Sequence, residues 1–275
     1  MGALADAAGK DTVDPGSSPA SAVAGAGSGV VLAARGLSKL YGVFRAVWSV
    51  DLDIHENDIH VFIGPNGAGK STVLNLLGGQ ILPTSGEVYF DGRSLGRTTP
   101  SWRARAGIGR SFQLTSIVPG FTCLENVLLA VQARRGLFGL LRLHSRDEDV
   151  AMAEVLLDLV GLRGVASVPA DLLAHGQQRQ LEIAAALAGR PRVLLLDEPS
   201  SGMSAHERAG LGGLLRKIVK SATIVMAEHD VHLVRTVATR VTAFSEGRKV
   251  AEGTSDEVFD SAEVKRVFLR GRRDA

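Results

Sequence analysis

At 275 residues, with 45% hydrophobic side chains, the chain is long enough for one large α/β domain or two modest ones. A formal net charge of +2 gives no electrostatic footprint for nucleic acid, and a single cysteine, Cys123, excludes an internal disulfide and fits a reducing compartment. No uninterrupted apolar run reaches the about 18 residues needed to span a bilayer, so the chain is expected to dock onto a membrane component rather than cross the membrane itself.

Residues 1–29 are Ala, Gly, Ser and Asp with almost no large apolar side chains. Such a segment cannot bury enough surface to offset its ordering entropy, and the expectation is a disordered tail. Asp6, Lys10, Asp11 and Asp14 interrupt it, so it does not read as a signal peptide. Order is expected from Val30, with strands over Val30–Ala33, Ala46–Ile54 and Glu87–Phe90 and a turn at Asp91-Gly92. Between the second and third of these lies the most informative stretch, Gly64-Pro65-Asn66-Gly67-Ala68-Gly69-Lys70-Ser71-Thr72. It follows the apolar run Ile59–Ile63 and precedes the helix-like Val73–Leu77. The pattern G-x-x-x-x-G-K-[ST] between a strand and a helix is a phosphate-binding loop. Its glycines let the backbone curl so that N–H groups face polyphosphate oxygens, and the helix aims its positive end at the same charge. Lys70 can reach β- and γ-phosphates, and the Ser71 hydroxyl can take one position on Mg²⁺. The ligand implied is a nucleoside triphosphate.

Helical patterns follow from Cys123 to about Val160, then from Gln177 to Ala188. Strands at Val193–Leu196, Ala222–Met226, Val241–Phe244 and Lys249–Glu252 alternate with helices over Ala205–Val219 and Val231–Val237. The fold class is therefore α/β, a nucleotide-binding core with an antiparallel β flank and a helical insertion over about residues 114–190. Val193-Leu-Leu-Leu-Asp197-Glu198 is an apolar strand ending in two carboxylates, at the edge where open α/β sheets bind ligands. Asp197 is placed to hold Mg²⁺ through water, and Glu198 to orient or deprotonate an attacking water. His229 closes another apolar strand on that same edge, although six other histidines are scattered through the chain. Gln113 sits at the hinge before the helical segment, where its amide could ligate Mg²⁺ or the attacking water. Tyr41, in a Leu-Tyr-Gly turn, could stack on a purine, with Phe44 and Trp48 as competitors. Leu173-Ala174-His175-Gly176-Gln177 precedes a helix whose free N–H groups would suit an anion.

In this order the pieces resemble the ATP-binding cassette (ABC) transporter ATPases, over about residues 30–270. Gly64–Thr72 resembles the family P-loop and Phe112-Gln113 the Q-loop. Leu173–Gln177 resembles the signature, usually LSGGQ, Leu196–Pro199 the Mg²⁺ strand with its catalytic glutamate, Ser200–Ser204 the D-loop, and His229 the switch histidine. The resemblance implies a P-loop NTPase (RecA-like) core, Mg²⁺ and ATP as substrate, with Glu198, His229 and Gln113 in catalysis and Tyr41 beside the adenine. It implies a dimer of cassettes clasped head to tail, in which Ala174, His175, Gly176 and Gln177 of one cap the γ-phosphate held on the P-loop of the other. Ala174 departs from the family serine. Losing one hydrogen bond to a charged group costs about 1.5–3 kcal/mol, roughly ten- to a hundred-fold in affinity or rate. Ser204 stands where aspartate is common.

Leu173–Ile183, Glu198–Ser204 and Gly107–Gln113 look most like importers of branched-chain amino acids, amides or urea. Such systems pair two ATPase subunits, identical or related, with two integral membrane permease subunits, fed by a periplasmic solute-binding protein, and the ATPase sits at the cytoplasmic face of the inner membrane. Ile117–Phe121 is expected to line the groove that receives a permease helix, while Leu137–Leu141 reads as core. Lys265, Arg266, Arg270, Arg272 and Arg273 read as a solvated tail. Two other functions fit the motifs. One is a soluble ABC ATPase of DNA repair or translation, opposed by the lack of sustained heptads between P-loop and signature and by the single cassette. The other is a slow, nucleotide-gated interaction subunit, suggested by Ala174 and Ser204.

Overall fold

The computed structural model describes residues 29–110, 117–133 and 146–271. The readings for residues 1–28, Phe112, Gln113, Leu137–Leu141, Arg272 and Arg273 lie outside the described residues. Strands β1 (Val30–Tyr41) and β2 (Phe44–His55) form an antiparallel hairpin that sets Tyr41 opposite Phe44 at its tip. β1 also pairs with β4 (Ser85–Phe90), which turns through Asp91-Gly92 into the short β5 (Arg93–Ser94). Both turn residues have positive φ, 50° and 73°, as a two-residue hairpin turn requires. This antiparallel sheet has the order β2-β1-β4-β5.

The second sheet comprises β3 (Ile59–Ile63), β6 (Ile108–Arg110), β7 (Val193–Asp197), β8 (Thr223–Ala227), β9 (Arg240–Ser245) and β10 (Arg248–Gly253). Its order is β10-β9-β3-β8-β7-β6, parallel throughout except for the antiparallel edge strand β10. β3, β7 and β8 are buried at every position, which is why their sequences read as continuous apolar runs. Alternate residues serve different cores. Val61, Leu194, Leu196, Ile224 and Met226 face one cluster, and Phe62, Leu195, Val225 and Phe244 face the other.

The Phe62 side is closed by the antiparallel sheet and by α1 (Lys70–Gly78), whose Val73, Leu74, Leu76 and Leu77 are buried. The opposite side packs on α3 (Cys123–Ala133), α4 (Arg146–Leu159), α5 (His175–Ala188), α6 (Ala205–Ile218) and α7 (Val231–Val237). A further helix, α2 (Pro100–Ala106), starts at a Thr99 cap and leads into β6. From it the buried Arg103 donates to Leu76 O at 2.7 Å and Leu77 O at 2.8 Å, satisfying carbonyls at the end of α1.

Two expectations need correction. α5 begins at His175, two residues before the periodicity suggests, because Gln177 Oε1 reaches back to accept the Ala174 N–H at 3.1 Å and fixes the helix start there. The C-terminal run is helical rather than an irregular tail up to Gly271, although Lys265 and Arg266 are solvent-exposed as expected. Residues 255–271 form α8 (Ser255–Asp260) and α9 (Ala262–Gly271), anchored by buried Val258 and Val264. α8 is started by a Thr254–Glu257 capping box, with Glu257 Oε2 accepting the Thr254 N–H at 2.8 Å.

Candidate functional site

Strand register brings the chemistry to one edge. Asp197 on β7 aligns with Ala227 on β8, and Ala227 with Phe62 on β3, so Gly64, Asp197, Glu198, Glu228 and His229 leave the sheet at the same end. The loop Gly64–Gly69 turns there into α1. Gly69 has φ 100°, and a Cβ on it would lie 2.6 Å from Ala46 O, so only glycine lets this turn pack against β2. Lys70 Nζ donates to Gly64 O at 2.8 Å and Pro65 O at 3.0 Å, curling over the loop it follows. Burial draws the Lys70 ammonium below the ordinary lysine range, and the nearby Glu198, Asp197 and Glu228 carboxylates oppose that shift.

Ser71 Oγ donates to Asp197 Oδ1 at 3.0 Å. A hydroxyl and a carboxylate in contact at the mouth of a phosphate loop are hard oxygen donors of the kind that could hold Mg²⁺. Among the described residues no group of three or more His, Cys, Asp and Glu could hold a metal ion. Glu198 follows Asp197 at φ 47°, a left-handed backbone rare for a side chain of this size. Its N–H donates to Ala227 O at 3.0 Å and its carbonyl accepts from Ser201 N at 3.0 Å. His229 is solvent-exposed at the end of β8, on the same edge.

Pro65, Asn66, Gly67, Ala68 and Thr72 lie in the loop and first helical turn as the motif demands. Tyr41 and Phe44, as a cross-strand pair, are both exposed at the hairpin tip. Trp48 is instead occupied, with Arg45 Cζ 4.0 Å and Arg248 Cζ 6.0 Å from its ring, so the hairpin tip is the freer aromatic surface. The segment Ala174–Gln177 opens α5 and packs on Ser200–Glu207. A Cβ at Gly176 would lie 2.3 Å from Glu207 Oε1, and the His175 ring sits against Gly202.

A model of the ABC transporter family matches residues 47–201. The chain is 36% identical over 248 residues to the high-affinity branched-chain amino acid transport ATP-binding protein LivG of Salmonella typhimurium, spanning 87% of this chain and 97% of that protein. The chain belongs to the ABC transporter family. Identity to the corresponding protein BraF of Pseudomonas aeruginosa is 34% over the same length. Among solved structures, the ADP conformation of MJ1267, an ATP-binding cassette of an ABC transporter, superposes with a TM-score of 0.79 at 26% identity, over 87% of this chain and 98% of that one. The dimeric cassette MJ0796 gives 0.72 at 28% identity, over 82% and 98%. This ABC cassette is thus an ATPase subunit with a P-loop NTPase fold.

The cassette also holds residues that motif reading passes over. Glu228 is fully buried. Its Oε1 accepts the Ser200 N–H at 2.9 Å, while Oε2 accepts His229 N–H at 2.9 Å and Asp230 N–H at 3.3 Å. One carboxylate therefore ties the D-loop to the switch loop. In the signature, His175 stands where LSGGQ has its first glycine, a departure additional to Ala174. The only sequence signal for Glu228 is a charge directly after the apolar residues Ile224–Ala227; no signal marks its partner Ser200, which comes from a loop 28 residues away.

Proposed function

We propose that this cassette is the ATP-hydrolysing subunit of an importer for a small solute, branched-chain amino acids or a related amide or urea. The observation that carries the reading is the convergence of Lys70, the Ser71–Asp197 pair, Glu198 and His229 on one sheet edge. In this role the loop Gly64–Thr72 binds the triphosphate, and Lys70 turns from its carbonyl partners toward the β- and γ-phosphates. Ser71 and Asp197, with Gln113, would hold Mg²⁺, which neutralises the charge developing on the phosphate oxygens. Glu198 orients and deprotonates the water, and His229 fixes the γ-phosphate. Tyr41 stacks on the adenine. The sequence likeness to LivG and BraF supports the solute class.

The signature is used in trans. Of the signature residues Ala174, His175, Gly176 and Gln177, His175 rests on Gly202 of its own D-loop and Gly176 faces Glu207 just beyond it, which suits a surface that moves with the D-loop against a partner cassette's phosphate. The dimeric MJ0796 structure supports that arrangement. The helical insertion, about residues 114–190, would carry the resulting motion to two permease subunits at the cytoplasmic face of the membrane, with a periplasmic binding protein delivering solute. Among the described residues no helix is long and apolar enough to cross a membrane. A groove of about 520 Å³ beside α2, α3 and α5, lined by Gln80, Ala104, Arg105, Leu129 and Glu182, offers a seat for a permease helix. Exposed Val118 and Phe121 lie in the loop leading into α3.

The test is reconstitution with the companion subunits in vesicles. Labelled leucine should accumulate only with ATP and be lost with Lys70→Ala. ATP hydrolysis without accumulation of any branched-chain amino acid, amide or urea would reject the solute class, and failure of the cassette to associate with an integral membrane protein would reject the importer.

A further inference from the structure

Asp197 is fully engaged by donors of its own chain. Ser71 Oγ holds Oδ1 at 3.0 Å, and Arg110 Nη2 holds Oδ2 at 3.4 Å. The Arg110 and Asp197 side chains are only 8% and 1% exposed, so this is a buried ion pair and water screens it little. Arg110 comes from the end of β6, three residues before Gln113, and it also lines the groove beside α2 and α3. Its other nitrogen, Nη1, donates to Gln80 Oε1 at 2.9 Å.

We propose that Arg110 is a positioning residue that stands in for the metal's charge at Asp197 and competes with Mg²⁺ for that carboxylate. The inference rests on Asp197 being the metal-site carboxylate. A guanidinium and a divalent cation cannot share one buried carboxylate cheaply, because like charges drawn to the same anion repel strongly where water screens them little. Arrival of the metal therefore loosens Nη2 from Oδ2. Nη1 keeps its bond to Gln80, so the guanidinium is not left without an acceptor when it yields.

Arg110→Met tests this with a fluorescent, non-hydrolysable ATP analogue, titrated first in EDTA and then with Mg²⁺. Removing the arginine should weaken metal-free binding of the analogue, since Asp197 then faces the triphosphate unneutralised. It should also lower the Mg²⁺ concentration at half-effect by about tenfold, the lower end expected for removing a competing hydrogen bond to a charged group. Arg110→Lys, which keeps the charge but loses the fork, should fall between wild type and methionine in both readouts. A merely structural arginine predicts weaker binding in both titrations, and that result, or an unchanged Mg²⁺ requirement, overturns the proposal. Should Arg110→Met not fold, Arg110→Lys must still shift the Mg²⁺ midpoint downward, and no shift overturns it. Analogue binding by wild type that ignores Mg²⁺ altogether would instead reject Asp197 as a metal carboxylate.

Discussion

Ala174 caps α5 with no oxygen to offer. Gln177 supplies half of a capping box by accepting the Ala174 N–H, and the reciprocal bond from a serine or threonine hydroxyl is missing. Ala174→Ser should restore it and raise unfolding stability by about 1 kcal/mol, read from denaturant midpoints. The same hydroxyl would face the partner cassette's γ-phosphate, so multiple-turnover phosphate release should rise by up to roughly tenfold. A stability gain without faster turnover would separate the cap from the catalytic contact. Glu198 is a second residue at which backbone and chemistry meet. Its φ of 47° costs on the order of 1 kcal/mol, and its bonds to Ala227 and Ser201 hold it there. Glu228 then binds the neighbouring Ser200 and His229 amides, so the loop after Glu198 and the segment carrying His229 share one buried anchor.

At the scale of the element, β3 carries a polar residue into the core immediately before the P-loop. His60 is fully buried, with Nε2 2.7 Å from Thr242 Oγ1 and Nδ1 without a partner. Burial first, then the Arg240 and Lys249 charges, lowers its pKa to about 3 from the ordinary 6.5. The unfolded chain therefore binds this proton below 6.5 while the fold refuses it, and stability is full above that pH and lost as pH falls toward 3. The loss is about 1.4 kcal/mol per pH unit in that window. His60→Leu with Thr242→Val removes both polar groups together, and its stability between pH 6 and 4 should fall less steeply than wild type by that amount. Equal slopes would mean that His60 is not the group resisting protonation.

Which elements are legible follows from where their determinants lie. The apolar runs of β3, β7 and β8, the Asp91-Gly92 turn and the P-loop are local patterns, and each is where the chain order implies. The Asp197, Glu198 and His229 positions are legible because a parallel sheet places all strand ends on one edge. Arg103 under α1, Glu228 between two loops and Arg110 on Asp197 are not legible. The long-range partners that define these contacts lie 26 to 87 residues away, and nothing in periodicity reports a side chain that neutralises a distant backbone or carboxylate. The helices after Thr254 are missed for a different reason. Their capping box is present in the sequence, but the run of basic residues draws the eye to charge rather than to Val258 and Val264.

At the scale of the molecule, a sheet buried on both faces brings the P-loop and the segment on which the signature rests to the same edge. The P-loop sits at the strand ends, and the signature rests on the D-loop beside α6. In the function proposed above, a second cassette, identical or related, would complete two sites at once by rotation, with ATP between P-loop and signature. The measurement that tests this most directly is the mass of Glu198→Gln in solution with Mg²⁺, alone and mixed with its companion cassette. With ATP it should form a dimer that turns over little and retains two nucleotides, and with ADP it should be monomeric. A protein that stays monomeric in ATP in both mixtures, or that hydrolyses ATP at the wild-type rate, would contradict the account.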